Sequence, residues 1–388
     1  MCIFILRKTI ITHTILYNKK GGVFLNTKSI STDKIVPGMI VAEDVFGLQD
    51  YLIIPAHSEL TNHSITRLRF YGIKEIQIEL DDNGKPERRD EGEIISDSYS
   101  EYIKKTTEFK KFSASFTSVE EDFKNRIRIS NKQLQEPIET DALLDDMQQI
   151  LHESRNGTHV LHMLHCMRNN DDATYAHSVS VALLCNVFGH WLKYSDEDIK
   201  TLTLAGLLHD LGKLLVPSRI ISKPGILSSV EYVIIKHHPT DGYHLLEPQD
   251  LDSRIKNAAL MYHERRDGSG YPQNLKGDEI EDFAQVVGIA DVYEAMTSPR
   301  IYRRPNCPFD AISVFEQDGL QQFNPSILLP ILEGLANTYI NCSVKLTDER
   351  VGEIVMIDPH NITKPTIKIG SDFVDLKHET DLHIKEVV

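Results

Sequence analysis

The feature that most constrains this chain is a stretch from Thr140 to about Gln317, in which apolar residues recur at helical spacing and histidines lie within or at the ends of apolar runs. The pattern contains no strand alternation, so it predicts a helix bundle. The predicted helices are Asp141–Leu151, Val160–Arg168, Tyr175–Leu192, Asp196–His209, Ser228–His238, Arg254–Tyr262 and Phe283–Thr297.

The adjacent pair His209-Asp210 ends one of these apolar helices. Burying an unpaired carboxylate costs several kcal/mol, so packing alone explains such a pair poorly. A metal ion is a natural partner, because the imidazole offers one nitrogen and the two carboxylate oxygens can bridge two ions.

Further donors lie on separate predicted helices or at their ends, namely His177, His238, His263 and Asp291. Any one of them alone is more often a core residue with a satisfied hydrogen bond or a cap. Together with the His-Asp pair they predict a shared metal site. A mixed nitrogen and oxygen set suits iron, manganese, zinc or nickel better than calcium or magnesium.

A run from His263 through Asp267-Gly268-Ser269-Gly270-Tyr271-Pro272 adds a more specific signal. With the His-Asp pair, it makes residues 140–315 resemble the HD-GYP subgroup of the HD phosphohydrolases. The resemblance implies an HD-type helix bundle that hydrolyses cyclic di-GMP to pGpG or GMP with metal-activated water. It also implies a centre of two or three metal ions, often iron.

The resemblance assigns roles to individual positions. The implied metal ligands are His177, His209, Asp210, His238, His263 and Asp291. The implied catalytic residues are Asp210, as the bridge between ions, and Lys213, which would reach the scissile phosphate. The implied substrate-binding residues are Arg300, Arg303, Tyr271, Gly270 and Pro272. From the residues alone, Lys213 is explained equally well as a cation at the C-terminus of a helix. The two arginines are explained equally well as partners in surface ion pairs.

Two departures from the family pattern affect the expected metal centre. Tyr262 stands where the family usually has a first histidine before the conserved glutamate, and Ala173 stands where a glutamate linked to a third ion would fall. We therefore expect two transition metal ions, iron or manganese before nickel or zinc, or one ion with weak activity. The alternative function is a catalytically impaired receptor or scaffold for cyclic di-GMP. A general nucleotide phosphohydrolase is a third option, which the Gly-Tyr-Pro run disfavours.

The flanking segments predict a mainly α protein with two small additions. Residues 1–28 are expected either to be disordered or to be an extension that the natural protein lacks, with the natural start near Leu25. Residues 29–80 are expected to form a small α+β module. Residues 81–139 are a linker and a helix over Tyr99–Gln135, which packs on the main domain or pairs with a second copy. Residues 140–320 are the HD-GYP domain, and residues 321–388 a helix with a small β appendage.

Charge and cysteine content limit the partners. The formal net charge of −15 disfavours binding to a nucleic acid polymer or an anionic membrane. No apolar run approaches the ~18 residues of a membrane span. The five cysteines form no CxxC pair, which is typical of a reducing compartment. We therefore expect a cytoplasmic protein that binds cyclic di-GMP, with a homodimer and a signalling partner protein as further expectations.

Overall fold

The computed structural model describes most of the chain. The described residues are 26–46, 52–54, 73–80, 103–130, 133–167, 173–221, 225–298 and 307–388, with positions 56, 58, 60, 64, 65, 68, 84–86 and 223. They fall into two compact units, Met1–Ser96 and Asp97–Val388. Of the expected N-terminal extension, residues 1–25 lie outside the described residues, whereas residues 26–28 belong to the strand Asn26–Ser31. The finer division into five segments stays a prediction.

The N-terminal unit contains two antiparallel strand pairs. Strand β1 (Asn26–Ser31) pairs with β4 (Glu75–Leu80), and β2 (Val45–Phe46) pairs with β3 (Leu52–Ile54). Alternate residues of β4 face a small core of buried aliphatic side chains. Val41 forms an isolated antiparallel bridge with Ile78.

The second unit begins with helix α1 (Thr107–Arg126). Its apolar face, which includes Phe112, Phe116 and Phe123, is buried in the main hydrophobic core. The helix therefore packs on its own bundle, and this face offers no surface to a second copy. The prediction that the helix continues to Gln135 is wrong, because the chain turns into a short hairpin of β5 (Ile129–Ser130) and β6 (Gln133–Leu134).

Helices form most of the second unit, which confirms the predicted mainly α fold. They are α2 (Thr140–His152), α3 (Gly157–Cys166), α4 (Ala173–Trp191), α5 (Asp196–Leu208), α6 (Ser218–Ile221), α7 (Ser229–Lys236), α8 (His238–Leu246), α9 (Ser253–Met261), α10 (Asp282–Thr297), α11 (Pro308–Val314), α12 (Leu320–Gln322) and α13 (Pro325–Thr338). A 3₁₀ turn, Leu211–Leu215, follows α5. None of the helices within the described ranges is long and apolar enough to cross a bilayer.

One predicted helix, Ser228–His238, is two helices in the structure. Helix α7 ends at Lys236, and α8 begins at His238 with Pro239 in its first turn. Proline is favoured there because its missing N–H would have no partner within the helix. The break places His238 at the start of a new helix.

The centre of the bundle is formed by α4, α5 and α10, which pack against one another. Helix α10 is apolar almost all round and is buried along most of its length. A helix of this kind belongs in the middle of a core. Polar side chains on these three helices are therefore held inside the protein.

The C-terminal appendage is a five-stranded antiparallel sheet of order β10-β9-β8-β7-β11. Its strands are β7 (Ser343–Leu346), β8 (Val351–Asp358), β9 (Asn361–Ile369), β10 (Asp372–Asp375) and β11 (Ile384–Val387). Phe309 and Tyr339, from the helical part, share its apolar core. The sequence predicts the first four strands and misses β11, in which only Ile384 is buried.

Candidate metal centre

Three of the six predicted ligands meet at one point of the core. His177 lies on α4, His209 caps the C-terminus of α5, and Asp291 lies on α10. All three are buried, and one ligand atom from each lies within 4.8 Å of the others. His177 Nε2 is 3.0 Å from Asp291 Oδ1. Two imidazoles and one carboxylate with open positions make a donor set that suits Fe(II).

The Nδ1 atoms of His209 and His177 contact oxygen atoms outside the group of three ligands. His209 Nδ1 donates to the carbonyl oxygen of Gly206 at 2.7 Å, so the lone pair of the neutral ring is on Nε2. Among the described residues, no group hydrogen-bonds to this buried Nε2. His177 Nδ1 lies 2.6 Å from Glu294 Oε2. An orphaned imidazole nitrogen beside a carboxylate fits a transition metal ion.

In the metal-free centre, the pKa of His177 is raised and the pKa of His209 is lowered. Burial lowers the pKa of His177, but the carboxylates of Glu294 and Asp291 outweigh it and raise that pKa to about 9. Burial dominates at His209 and lowers its pKa to about 4. His209 is therefore a neutral donor at pH 7, whereas His177 must lose a proton before it can bind a metal ion.

Asp210 is not part of the group formed by His177, His209 and Asp291. Its Oδ2 forms an ion pair of 2.6 Å with Lys213, and its Oδ1 accepts a hydrogen bond of 3.0 Å from the Tyr262 hydroxyl. Burial would raise the pKa of Asp210, but Lys213 and the surrounding histidines lower it to about 2. Asp210 is therefore a carboxylate at any physiological pH.

The Tyr262 hydroxyl lies between the remaining predicted ligands. It is 2.5 Å from His238 Nε2 as well as 3.0 Å from Asp210 Oδ1. Burial and then the charge of Asp210 raise the pKa of Tyr262 well above its ordinary value, so it is a neutral phenol. His238 and His263 are thus not brought into the group of ligand atoms around Asp291.

His263 is packed among aromatic rings. It stacks on Tyr271 with ring centroids 4.6 Å apart, and the Tyr262 ring lies 4.0 Å away. Lys236 places its Nζ 5.5 Å from the centre of the Tyr271 ring. Tyr271 is therefore beside the centre, between His263 and a cation.

Buried Glu264 shapes the loop that contains Gly270, Tyr271 and Pro272. Its carboxylate accepts hydrogen bonds from the backbone N–H groups of Gln273 at 2.6 Å and Leu275 at 3.0 Å. A side chain at Gly270 would overlap the backbone of Glu264 and Arg265. The sequence pattern assigns Glu264 no role, although a glutamate beside a Gly-rich loop is a recognisable signal.

Gly212 lets α8 approach the His-Asp pair. A Cβ atom at Gly212 would overlap the carbonyl oxygen of His238 and lie 2.6 Å from the backbone nitrogen of Gly242. The sequence Asp210-Leu211-Gly212-Lys213 thus combines a buried carboxylate, a close backbone approach and a cation within one turn. Arg300 and Arg303 lie outside the described residues, so their predicted role stays a prediction.

A helix bundle with a histidine and aspartate centre at its core is the architecture of metal-dependent phosphohydrolases of the HD class. Residues 161–327 match the family model described as "HD domain". This region therefore matches the HD domain family, and the resemblance predicted from the His-Asp pair and the Gly-Tyr-Pro run is confirmed.

Curated relatives share this part of the chain. The cyclic di-GMP phosphodiesterase PA4108 of Pseudomonas aeruginosa is 31% identical over 205 residues, covering 52% of this chain and 49% of the relative. The 3'3'-cGAMP-specific phosphodiesterase 1 of Vibrio cholerae is 42% identical over 130 residues, 34% of this chain and 30% of the relative. The match thus spans half or less of the length of these relatives.

A solved structure, Bd1817, described as an HDG"Y"P protein from Bdellovibrio bacteriovorus, aligns with a TM-score of 0.45 and 16% identity. The alignment covers 80% of this chain and 99% of that one.

Proposed function

We propose that this protein is a metal-dependent phosphodiesterase that hydrolyses a cyclic dinucleotide, with cyclic di-GMP as the first candidate substrate and pGpG or GMP as products. The observation that carries the proposal is the meeting of His177, His209 and Asp291 beside the Asp210–Lys213 pair in a buried centre. Relatives of the matching region are named for the hydrolysis of cyclic di-GMP and of 3'3'-cGAMP.

The residues of the centre have separate roles. His177, His209 and Asp291 hold the ion, and Glu294 orients the ring of His177. When bound, the ion lowers the pKa of a coordinated water so that hydroxide is available near neutral pH. Lys213, paired with Asp210 and partly exposed, supplies positive charge for the substrate phosphate. Tyr271, which stacks on His263, is the aromatic residue available to the substrate.

The test is hydrolysis by the full chain. Protein loaded anaerobically with Fe²⁺ or with Mn²⁺ is incubated with cyclic di-GMP, and pGpG and GMP are followed by chromatography. We expect turnover that chelation abolishes and that His177→Ala removes. His244→Ala, which changes an exposed histidine paired with Glu247, is the matched control and retains activity. Absence of turnover with both metals, under reducing and oxidising conditions, contradicts the proposal.

Substrate choice is tested in the same assay. Cyclic di-GMP, 3'3'-cGAMP and cyclic di-AMP are compared by kcat/KM, together with bis(p-nitrophenyl) phosphate as a simple diester. We expect a preference for a guanine-containing cyclic dinucleotide. Equal rates on the simple diester favour a general phosphohydrolase instead.

The second candidate function is a cyclic di-GMP receptor or scaffold with impaired chemistry. The observation that favours it is the Tyr262 hydroxyl, which contacts both His238 and Asp210. Under this alternative the natural protein binds cyclic di-GMP without turnover, and Tyr262→His produces a large gain in rate. Comparable rates for the two proteins favour the enzyme.

Location and assembly complete the proposal. The five cysteines include no CxxC pair, which supports a reducing, cytoplasmic compartment. The N-terminal unit would transmit the state of the centre to a signalling partner protein. A homodimer stays a prediction, and a monomer in light scattering would contradict it.

A further inference from the structure

We infer that the Tyr262 side chain fills the place of a second metal ion, so that the centre binds one ion, on His177, His209 and Asp291, rather than two. This inference rests on the proposed metal-dependent function. It assigns His238 and His263 to the support of the centre instead of to its ligand set.

The Tyr262 oxygen occupies the space between His238 Nε2 and Asp210 Oδ1 and leaves no space there for an ion. His238 Nδ1 is 2.5 Å from the carbonyl oxygen of Ile235, which can only accept, so Nδ1 carries a hydrogen. The ligating lone pair of the neutral ring is then on Nε2, and the Tyr262 oxygen lies 2.5 Å from it. Two donor atoms that bind the same ion at a right angle, each ~2.1 Å from it, lie about 3 Å from each other. The 2.5 Å between His238 Nε2 and the Tyr262 oxygen is shorter than that, so the two atoms do not share an ion.

The same hydroxyl donates its one hydrogen to Asp210. Tyr262 donates to Asp210 Oδ1 at 3.0 Å, while Lys213 Nζ forms an ion pair of 2.6 Å with Oδ2. The carboxylate expected to bridge two ions therefore has a hydrogen-bond donor at one oxygen and a cation at the other. The carboxylate needs no second cation to offset its burial.

Tyr262 is fixed in this position by its surroundings. Its side chain is 1% exposed, and its ring lies edge-on to His209, with centroids 4.7 Å apart, and against His263. Its carbonyl oxygen faces Gly288 so closely that a Cβ atom there would lie 2.5 Å away. The ring is therefore buried among other rings, and the backbone that carries it is packed closely against α10.

The test counts bound Mn²⁺ ions in the full chain by equilibrium dialysis and elemental analysis. We expect one ion per chain in the natural protein and none in His177→Ala. His238→Ala is expected to retain one ion, because His238 is not a ligand. Tyr262→His is expected to bind two ions, and adding His238→Ala to that variant is expected to return the count to one.

Circular dichroism and thermal melting establish that each variant is folded, and the contrast between His177→Ala and His238→Ala stands even if Tyr262→His does not fold. Two ions in the natural protein, or loss of its ion in His238→Ala, overturns the inference. So does a visible charge-transfer band of the Fe³⁺ form that Tyr262→Phe removes, since it would make Tyr262 a phenolate ligand. One bound ion without hydrolysis would contradict only the proposed enzyme, and two ions with hydrolysis only this inference.

Discussion

At the scale of single residues, the chemistry of the centre depends on which nitrogen of each histidine carries a hydrogen. The carbonyl of Gly206 fixes this for His209, and the carbonyl of Ile235 fixes it for His238. The two rings have the same tautomer and differ in what faces Nε2. In His209 it faces the ligand group, and in His238 it faces the Tyr262 hydroxyl.

Sequence patterns can predict that histidines at the ends of apolar helices point inward, because a buried imidazole needs a partner. They cannot predict which of these histidines meet. Whether a histidine points inward depends on local spacing, whereas which histidines meet depends on how α4, α5 and α10 pack. The identity of Tyr262 was visible as a departure, but its contact with both His238 and Asp210 required the packed structure.

The stability of the metal-free protein should fall as pH rises through the range in which His177 titrates. Its pKa in the folded protein is about 9, above the ordinary 6.5, because of Glu294 and Asp291. The stabilisation is complete below pH 6.5 and is lost as pH approaches 9, on the order of a few kcal/mol. Chemical denaturation of chelator-treated protein across this range measures it.

Glu294→Gln removes the largest attraction that raises the pKa of His177, so this variant should show a weaker loss of stability with pH. Glu247→Gln, beside an exposed histidine, should behave as the natural protein does. If the free energy of unfolding fell with pH as steeply in Glu294→Gln as in the natural protein, Glu294 would not be the cause of the raised pKa of His177.

Gly212→Ala should damage both stability and metal binding. The new Cβ atom meets backbone atoms of α8, which cannot rotate away, so we expect a loss of about 1–3 kcal/mol. Gly189→Ala is the matched control, because its nearest neighbours are side-chain atoms of Ile199 and Leu202. That control should change stability by less than about 1 kcal/mol, since alanine favours a helix interior. An unchanged denaturation midpoint in Gly212→Ala would refute the close approach.

At the scale of elements, the centre is assembled where helices end. His209 caps α5, His238 starts α8, and Tyr262 caps α9. Apolar periodicity predicts the bodies of such helices well, because one face must be buried. It predicts their ends poorly, since ends depend on caps and neighbouring backbone. The break between α7 and α8 was missed for this reason, although Pro239 marks it.

Glu264→Gln should loosen the loop that carries Tyr271 without removing the metal ion. The amide keeps one acceptor and turns its N–H₂ group toward a backbone N–H, so one of the bonds to Gln273 and Leu275 is lost. We expect faster hydrogen exchange across residues 268–276, a several-fold higher KM for cyclic di-GMP, and an unchanged ion count.

Asp278→Asn is the control for this change, because Asp278 is an exposed partner of Arg266 near the same loop. It should leave both exchange and KM as they are. An unaltered loop in Glu264→Gln would show that other contacts hold Tyr271 in place.

At the scale of the whole molecule, the centre is built by the second unit alone. Every described donor lies between His177 and Glu294, inside Asp97–Val388. The mainly α class was predictable, because the apolar pattern spans most of this unit. The weak strand β11 was not, because its polar residues match no burial pattern.

The fragment 97–388 should therefore fold and bind Mn²⁺ as the full chain does, as measured by thermal melting and elemental analysis. A shorter fragment, 97–341, should be strongly destabilised, because Phe309 and Tyr339 would lose the sheet residues that cover them. A fragment 97–388 that binds no ion would place part of the centre elsewhere.

Anomalous X-ray diffraction from crystals of the full chain loaded with Mn²⁺ shows directly whether these side chains hold an ion. We expect an anomalous peak bounded by His177 Nε2, His209 Nε2 and the Asp291 carboxylate. Crystals in which these side chains stand apart, or in which no peak appears between them, would contradict it.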